Sequence, residues 1–226
     1  MKNKKISRKA IVLLSGGLDS AVTLYFAKKF GLEPHCLIFD YGQRHKREIV
    51  FARKIALKAG CKFKIVKIYL PWKGSSLLDS KIKVTGSPGH RDTSNIPNTY
   101  VPARNIIFLS LALSWAEAIG SEMIFIGAHA QDYSGYPDCR PEFFKSFDQV
   151  IKTGTKAGVK KKGIRVITPL LNKNKADIIR LGNYLGVPFE LTWSCYSGGK
   201  SPCGKCDSCY YRAKGFKESG VEDRCQ

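Results

Sequence analysis

Short apolar runs alternate along the chain with stretches of helical spacing, and glycine or proline stands at most of the joints. Ala10-Ile11-Val12-Leu13-Leu14 is the first run and reads as a buried strand. Ala21 to Phe30 follows with the pattern of a helix and stops at Gly31. Pro34 to Asp40 reads as a second strand and Glu48 to Ala59 as a helix closed by Gly60. Lys62 to Leu70 reads as a third strand in which basic and apolar residues alternate. Residues 71–102 lose this order and are rich in Ser, Gly, Pro and Asn. A lid over a site and a plain insertion both fit that composition.

Asn105 to Ile119 is the most apolar stretch. Ser110, Ser114 and Glu117 interrupt it at spacings that make one polar stripe on a helix, and it is shorter than the ~20 residues of a membrane span. A fourth strand is expected at Glu122 to Gly127, a polar turn through Phe143, a fifth strand at Arg165 to Thr168, and a helix from Asn172 to Leu185 ended by Gly186 and Pro188. This alternation predicts an α/β fold: a Rossmann-like, doubly wound, parallel five-stranded sheet with helices on both faces. In such sheets ligands bind beyond the carboxyl ends of the strands. Ser15-Gly16-Gly17 and Asp40-Tyr41-Gly42 both lie at such ends, and adenine and ribose are expected near the second.

The chain of 226 residues is 43% hydrophobic and 25% charged, ordinary globular values, and long enough for one domain with a small appendage. Its charge changes the picture: 38 basic against 18 acidic residues leave +20. That suits anionic ligands such as ATP. The basic residues are spread, and no aromatics interleave them as a single-strand nucleic-acid groove requires, so a solvated surface with no direct nucleic-acid contact is expected. No secretory signal and no membrane span stand out, which points to a soluble, cytoplasmic protein.

Ser15-Gly16-Gly17-Leu18-Asp19-Ser20 sits between the first strand and its helix. Two glycines allow a tight turn and a close approach of backbone to ligand. The helix N-terminus offers N–H groups and the positive end of its dipole, which suits phosphate. Hydroxyls of Ser15 and Ser20 add donors. A carboxylate at Asp19 suggests a magnesium ion between it and the phosphates. The Walker lysine is missing, and the dinucleotide G-x-G-x-x-G spacing is not met.

Eight cysteines divide unevenly. Cys36, Cys61, Cys139 and Cys225 are scattered, while Cys195, Cys203, Cys206 and Cys209 form C-x7-C-x2-C-x2-C among Gly198, Gly199, Pro202 and Gly204. Four thiolates suit a closed, structural zinc site. An iron–sulfur cluster takes the same ligands; zinc is favoured because nothing else in the chain suggests redox chemistry. Lys175 and Asp177, at a helix start, read as a plain surface pair.

The loop resembles the pyrophosphate loop of the adenine nucleotide alpha hydrolase superfamily. Together with Phe39 to His45 (F-D-Y-G-Q-R-H), Val101 to Asn105, Ser134 to Phe143 (S-G-Y-P-D-C-R-P-E-F) and the four clustered cysteines, it resembles the 7-cyano-7-deazaguanine synthase family over nearly the whole chain. One departure is Ala103, where the family has Gly, and an alanine at a helix start is expected to cost little. The resemblance implies a nucleotide domain over 1–190 and a zinc segment over 191–226. It implies a ligase that joins 7-carboxy-7-deazaguanine and ammonia with ATP to give 7-cyano-7-deazaguanine, and a homodimer. Leu13, Leu14, Ser15, Gly16, Gly17, Leu18, Asp19, Ser20, Asp40 and Tyr41 would hold ATP. Asp19, Arg104, Asp138 and Arg140 would be catalytic, and Tyr133, Tyr136, Asp138 and Arg140 would hold the deazapurine. Arg104 could meet the α-phosphate or the substrate carboxylate as a fork. Asp138 could accept from the N–H edge of a guanine-like ring, on which Tyr133 or Tyr136 could stack. For Arg104, Asp138 and Arg140 a structural ion pair or helix cap competes with these roles. A pyrophosphate-loop tRNA-modifying enzyme, a thiolase or a lysidine-type ligase, is the alternative of the same class. A zinc-ribbon nucleic-acid-binding protein is the alternative of another class.

Overall fold

The computed structural model describes residues 8–84, 96–129, 135–161, 163–197 and 199–224. Five strands form one sheet in the order β3-β2-β1-β4-β5. They are β1 (Lys9–Leu13), β2 (Glu33–Asp40), β3 (Lys62–Lys67), β4 (Met123–Phe125) and β5 (Arg165–Ile167). Every pairing is parallel, with Val12 opposite Cys36 on one side and Phe125 on the other. The order reverses between β1 and β4, which opens a crevice at their carboxyl ends.

The unbroken apolar runs follow from burial on both faces. Ala10, Val12, Leu14, Cys36 and Ile38 face one core, shared with α1 (Leu18–Lys29), α2 (Arg47–Lys58) and α6 (Lys175–Tyr184). Ile11, Leu13, Leu37 and Phe39 face the other core, against α3 (Arg104–Ile119) and α4 (Pro141–Gly154). A short α5 (Lys156–Val159) follows α4, and α7 (Asp207–Ser219) lies against α6 and sends Phe216 into the first core. The buried Arg212 ties α7 to the segment before it. Its guanidinium pairs with Asp223 through Nε at 2.7 Å and Nη2 at 2.8 Å, and donates to Thr192 Oγ1 at 2.8 Å and to the Phe189 carbonyl at 3.2 Å.

The main departures from the sequence pattern lie at element ends and in helices it did not show. α1 starts at Leu18 because Gly17, extended at φ −78 and ψ 163, already serves as its cap residue. β3 ends at Lys67, before Leu70. α6 starts at Lys175, where the Asn174 side chain accepts from the Asp177 N–H at 2.9 Å. Helices α4 and α7 carry no counterpart in the sequence pattern above. Residues 71–84 and 96–102 form turns without helix or strand.

Ala103 corrects an expectation. It precedes α3 in the left-handed region, φ 55 and ψ 22, where a Cβ is disfavoured by about 1 kcal/mol or more. The alanine therefore has a cost that the helix-start position alone does not show.

Candidate active site

The loop after β1 is closed by its own hydroxyls. Ser20 Oγ donates to the Gly17 carbonyl at 2.9 Å and accepts from the Ser15 N–H at 3.2 Å, while Ser15 Oγ accepts from the Gly17 N–H at 3.2 Å. Gly16 has φ +89, and a Cβ on it would run into the Glu48 carbonyl of α2 and lie 2.8 Å from the Ala52 nitrogen. At Gly127, just past β4, a Cβ would stand 3.0 Å from the Asp19 carbonyl carbon. Glycine at both places lets α2 and β4 close on the loop. The N–H groups of Leu18, Asp19 and Ser20 precede the first intrahelical bond, from the Ala21 N–H to the Gly17 carbonyl at 3.1 Å. They are the first-turn donors of α1 that have no intrahelical partner.

Asp19 is the charged centre. Lys175 Nζ lies 2.7 and 2.9 Å from its two oxygens, and His129 Nε2 lies 3.5 Å from Oδ2 and 3.1 Å from that same Nζ. Burial would raise the carboxyl pKa, but Lys175 and His129 outweigh it and hold the group well below the usual carboxylate range. Lys175 is thus no surface partner of Asp177, which pairs instead with Arg180 at 2.6 Å.

The loop opens into a cavity of about 250 Å³. Leu13, Leu14, Ser15, Gly17, Leu18, Asp19 and Ser20 line it, and so do Tyr41, Arg104, Tyr136 and Cys139. Tyr41 stands edge-on to Phe108, which stacks on Phe39 with ring centroids 3.9 Å apart. Burial pushes the Tyr41 phenol up despite the nearby Arg104 guanidinium, whose Nη1 donates to it at 3.4 Å. Tyr136 Oη bonds Thr99 Oγ1 at 2.8 Å.

The other expected site residues fall outside the described lining. Gly16 supports the loop from behind against α2. Asp40 accepts from the Gly42 N–H at 3.4 Å and shapes the turn. Asp138 is buried, and its Oδ2 accepts from the Asn105 N–H at 2.9 Å at the start of α3. Arg140 is exposed and precedes Pro141 as the cap residue of α4. Tyr133 lies outside the described residues.

Lys175, His129 and His45 are among the lining residues without a site role in the sequence pattern; there Lys175 reads as a surface pair and His45 only as the end of the Phe39–His45 motif. His45 is 2% exposed; its Nε2 is 3.3 Å from Glu48 Oε2, and its Nδ1 has no hydrogen-bond partner among the described residues. The carboxylate can only accept, so it draws the ring proton to Nε2 and leaves an acceptor lone pair on Nδ1. The i,i+3 spacing of His45, at the end of the Phe39–His45 motif, and Glu48, in the helix that follows, is the local signal of this pair.

Sulfur atoms of Cys195, Cys203, Cys206 and Cys209 all lie within 4.8 Å of one another. Tetrahedral thiolates at a metal–sulfur distance of ~2.3 Å stand roughly 3.8 Å apart, so the cluster needs little closure to hold an ion. Backbone N–H groups of Ser197 and Cys203 point at Cys195 Sγ, and those of Lys205 and Cys206 at Cys203 Sγ, at 3.3 to 3.4 Å. Burial opposes ionisation of Cys203, but its hydrogen bonds, from Ser197 and these N–H groups among others, outweigh it and bring the thiol to about 6. Burial pushes Cys206 and Cys209 up, and a cation beside them would favour their thiolates. The donor set fits a metal ion.

An all-parallel sheet of this order, with the Ser15–Ser20 loop at its switch point and no Walker lysine, is a Rossmann-like α/β arrangement whose crevice lies at the carboxyl ends of β1 and β4. The sequence profile described as "Queuosine biosynthesis protein QueC" matches residues 9–220, and the chain belongs to that family. A 7-cyano-7-deazaguanine synthase of Thermoplasma acidophilum is 52% identical to it over 216 residues, 96% of this chain and 90% of that protein. One of Nostoc punctiforme is 50% identical over 95% of this chain and 97% of its own. One of Leptospira interrogans is 50% identical over 99% and 92%. Among the described residues no helix is long and apolar enough to cross a membrane.

Proposed function

We propose that the protein is an ATP-dependent carbon–nitrogen ligase that makes 7-cyano-7-deazaguanine from 7-carboxy-7-deazaguanine and ammonia, in the biosynthesis of a modified tRNA base. The observation that carries the reading is one cavity in which the loop Ser15–Ser20 meets Tyr41, Arg104, Tyr136 and Cys139, residues from three further family segments.

The α1 N-terminus and the Ser15 and Ser20 hydroxyls bind the β- and γ-phosphates. Asp19 would be a protein ligand for the magnesium that accompanies them, an ion that would offset phosphate charge. Arg104 steadies the α-phosphate while the substrate carboxylate attacks it and pyrophosphate leaves. Ammonia then adds to the acyl carbon of the adenylate and AMP departs, giving an amide. The amide oxygen attacks the α-phosphate of a second ATP and expels a second pyrophosphate; loss of that oxygen with AMP, and of both N–H protons, leaves the nitrile. The chain's part is to position and to neutralise, without a covalent nucleophile. Tyr136 offers the ring face for the deazapurine, and His45 Nδ1 is an acceptor for a ligand N–H or O–H. Asp138 serves the site from behind, by fixing the start of α3, and Arg140 by fixing the start of α4.

On this reading residues 1–190 carry the nucleotide site, while 191–226 carry a structural zinc ion. The enzyme is cytoplasmic and acts on small molecules. It works as a homodimer. Ile106 and Leu111 are the exposed apolar side chains of α3 that such a dimer would cover beside its polar stripe, and sedimentation of Ile106→Glu as a monomer would support this.

The deciding experiment follows pyrophosphate release and the organic product by mass, with ATP, magnesium and ammonium. Release that depends on 7-carboxy-7-deazaguanine and yields the nitrile is expected. Release without nitrile would overturn the substrate and leave the loop chemistry.

A further inference from the structure

The cysteine segment does no chemistry in the reading above, yet it touches the phosphate loop at two points. One is backbone: the Trp193 N–H donates to the Gly16 carbonyl at 2.9 Å. The other runs through α7. This helix starts directly after Cys206 and carries Cys209 in its first turn, so an ion held by the cysteines fixes its beginning. Arg212 fixes its middle through Asp223 and Thr192. Gly215, within the next turn, lies against α6. A Cβ there would overlap Lys175 Cγ, stand 3.1 Å from Lys175 Cβ and come 2.9 Å from Ile179 Cδ1. The lysine atoms in question are the stem next to the α6 backbone, and they cannot swing aside without carrying the ammonium along. That ammonium is the one 2.7 Å from Asp19.

We propose that Gly215 is a positioning residue for the phosphate chemistry: its bare backbone lets α7 press the Lys175 stem so that the ammonium stands at the pyrophosphate loop and meets the departing pyrophosphate. The proposal rests on the reading that Ser15–Ser20 holds the pyrophosphate end of ATP. Lys175 is only 13% exposed, and its one anionic partner among the described residues, Asp19, is also the carboxylate a magnesium ion would take. When magnesium-nucleotide enters, Asp19 has a new cation and the lysine a new anion, within the same few ångströms. A Gly→Ala change inside a helix ordinarily strengthens the helix. Here it displaces a cation from the site.

The test is calorimetric titration of the metal-loaded full chain with inorganic pyrophosphate and magnesium. Lys175→Ala is expected to weaken binding roughly tenfold or more, the scale of one charge-assisted contact. Gly215→Ala should weaken it comparably with bound metal unchanged. In the Lys175→Ala background, where the overlapping Cγ is gone, Gly215→Ala should change nothing. If Gly215→Ala alone does not fold, the pair with Lys175→Ala must fold and bind as the single lysine variant does. Wild-type binding by either single variant, additive losses in the pair, or a pair that does not fold would each overturn the proposal. So would a wild-type chain that does not bind pyrophosphate. Pyrophosphate binding without nitrile formation would instead remove the substrate assignment and leave this inference standing.

Discussion

Trp193→Ala tests whether the cysteine segment is part of the folded core. Trp193 is 1% exposed and is the largest fully buried side chain. Its ring lies 5.5 Å from the Phe51 ring, the Arg47 guanidinium sits 4.9 Å from its centroid, and its Nε1–H donates to the Cys195 carbonyl at 3.0 Å. Truncating such a residue costs about 3–5 kcal/mol in lost transfer and residual cavity. The aromatic and cation–π contacts, about 1 kcal/mol each, and the stranded Cys195 carbonyl overlap with that figure, so about 4 kcal/mol is expected. For a chain of this length that is a fall in Tm of roughly 10 °C. Trp193→Phe keeps a ring against Phe51 and loses only the N–H and part of the volume, for about 1–2 kcal/mol. Urea titration of the metal-loaded chain measures both. A Trp193→Ala variant within about 1 kcal/mol of wild type would refute the argument, and so would a phenylalanine variant as unstable as the alanine one.

Three further outcomes follow from the same geometry. Ala103→Gly should raise stability by about 0.5–1 kcal/mol, because it relieves a left-handed alanine at the head of α3; calorimetry giving a lower Tm would contradict this. The stability that Asp19 draws from Lys175 and His129 belongs to a lowered carboxyl pKa. It is present in full above the unfolded value of about 4 and is lost as pH falls from there through the lower folded value. The gap between wild type and Asp19→Asn in urea should therefore be widest near neutrality and shrink below about pH 4, and a gap constant with pH would count against the pairing. Removal of the metal by a chelator should free the start of α7, lower Tm, redden Trp193 fluorescence and weaken pyrophosphate binding; an apo chain that binds pyrophosphate like the loaded one would break that link.

What the sequence made legible was what is local. The central strands showed because parallel strands buried on both faces are apolar runs, as in Ala10 to Leu14, while the edge strand β3 showed by its alternation of basic and apolar residues. The phosphate loop and the four cysteines showed because their members are near neighbours in the chain. α4 was missed although Phe144, Phe147 and Ile151 recur at helical spacing after Pro141, because its first residues complete the polar motif that ends at Phe143. α7 had no such signal: its buried face is Cys209, Arg212, Gly215 and Phe216, which no hydropathy pattern marks as a stripe. Lys175 was misread for a related reason. Its partner Asp19 is 156 positions away, while Asp177, two away, looked like the obvious mate.

Asn105 shows how separate motifs become one wall of the site. Its backbone N–H donates to Asp138 Oδ2 at 2.9 Å, and its Nδ2 donates to the Asp138 carbonyl at 3.1 Å and to Cys139 Sγ at 3.2 Å. Val101 to Asn105 and Tyr136 to Arg140, apart in sequence, are thereby locked into a single unit at the head of α3. The Asp138 carboxylate also sits at the positive end of that helix, where a negative charge is favoured. The lock fixes what it flanks: Arg104 on one side, Tyr136 and Cys139 on the other, all facing the cavity. An arginine fork and an aromatic face on separate loops would drift with each loop's motion. Held by one buried asparagine they keep a set separation, which is what the two activations proposed above would require of a wall that holds one flat substrate.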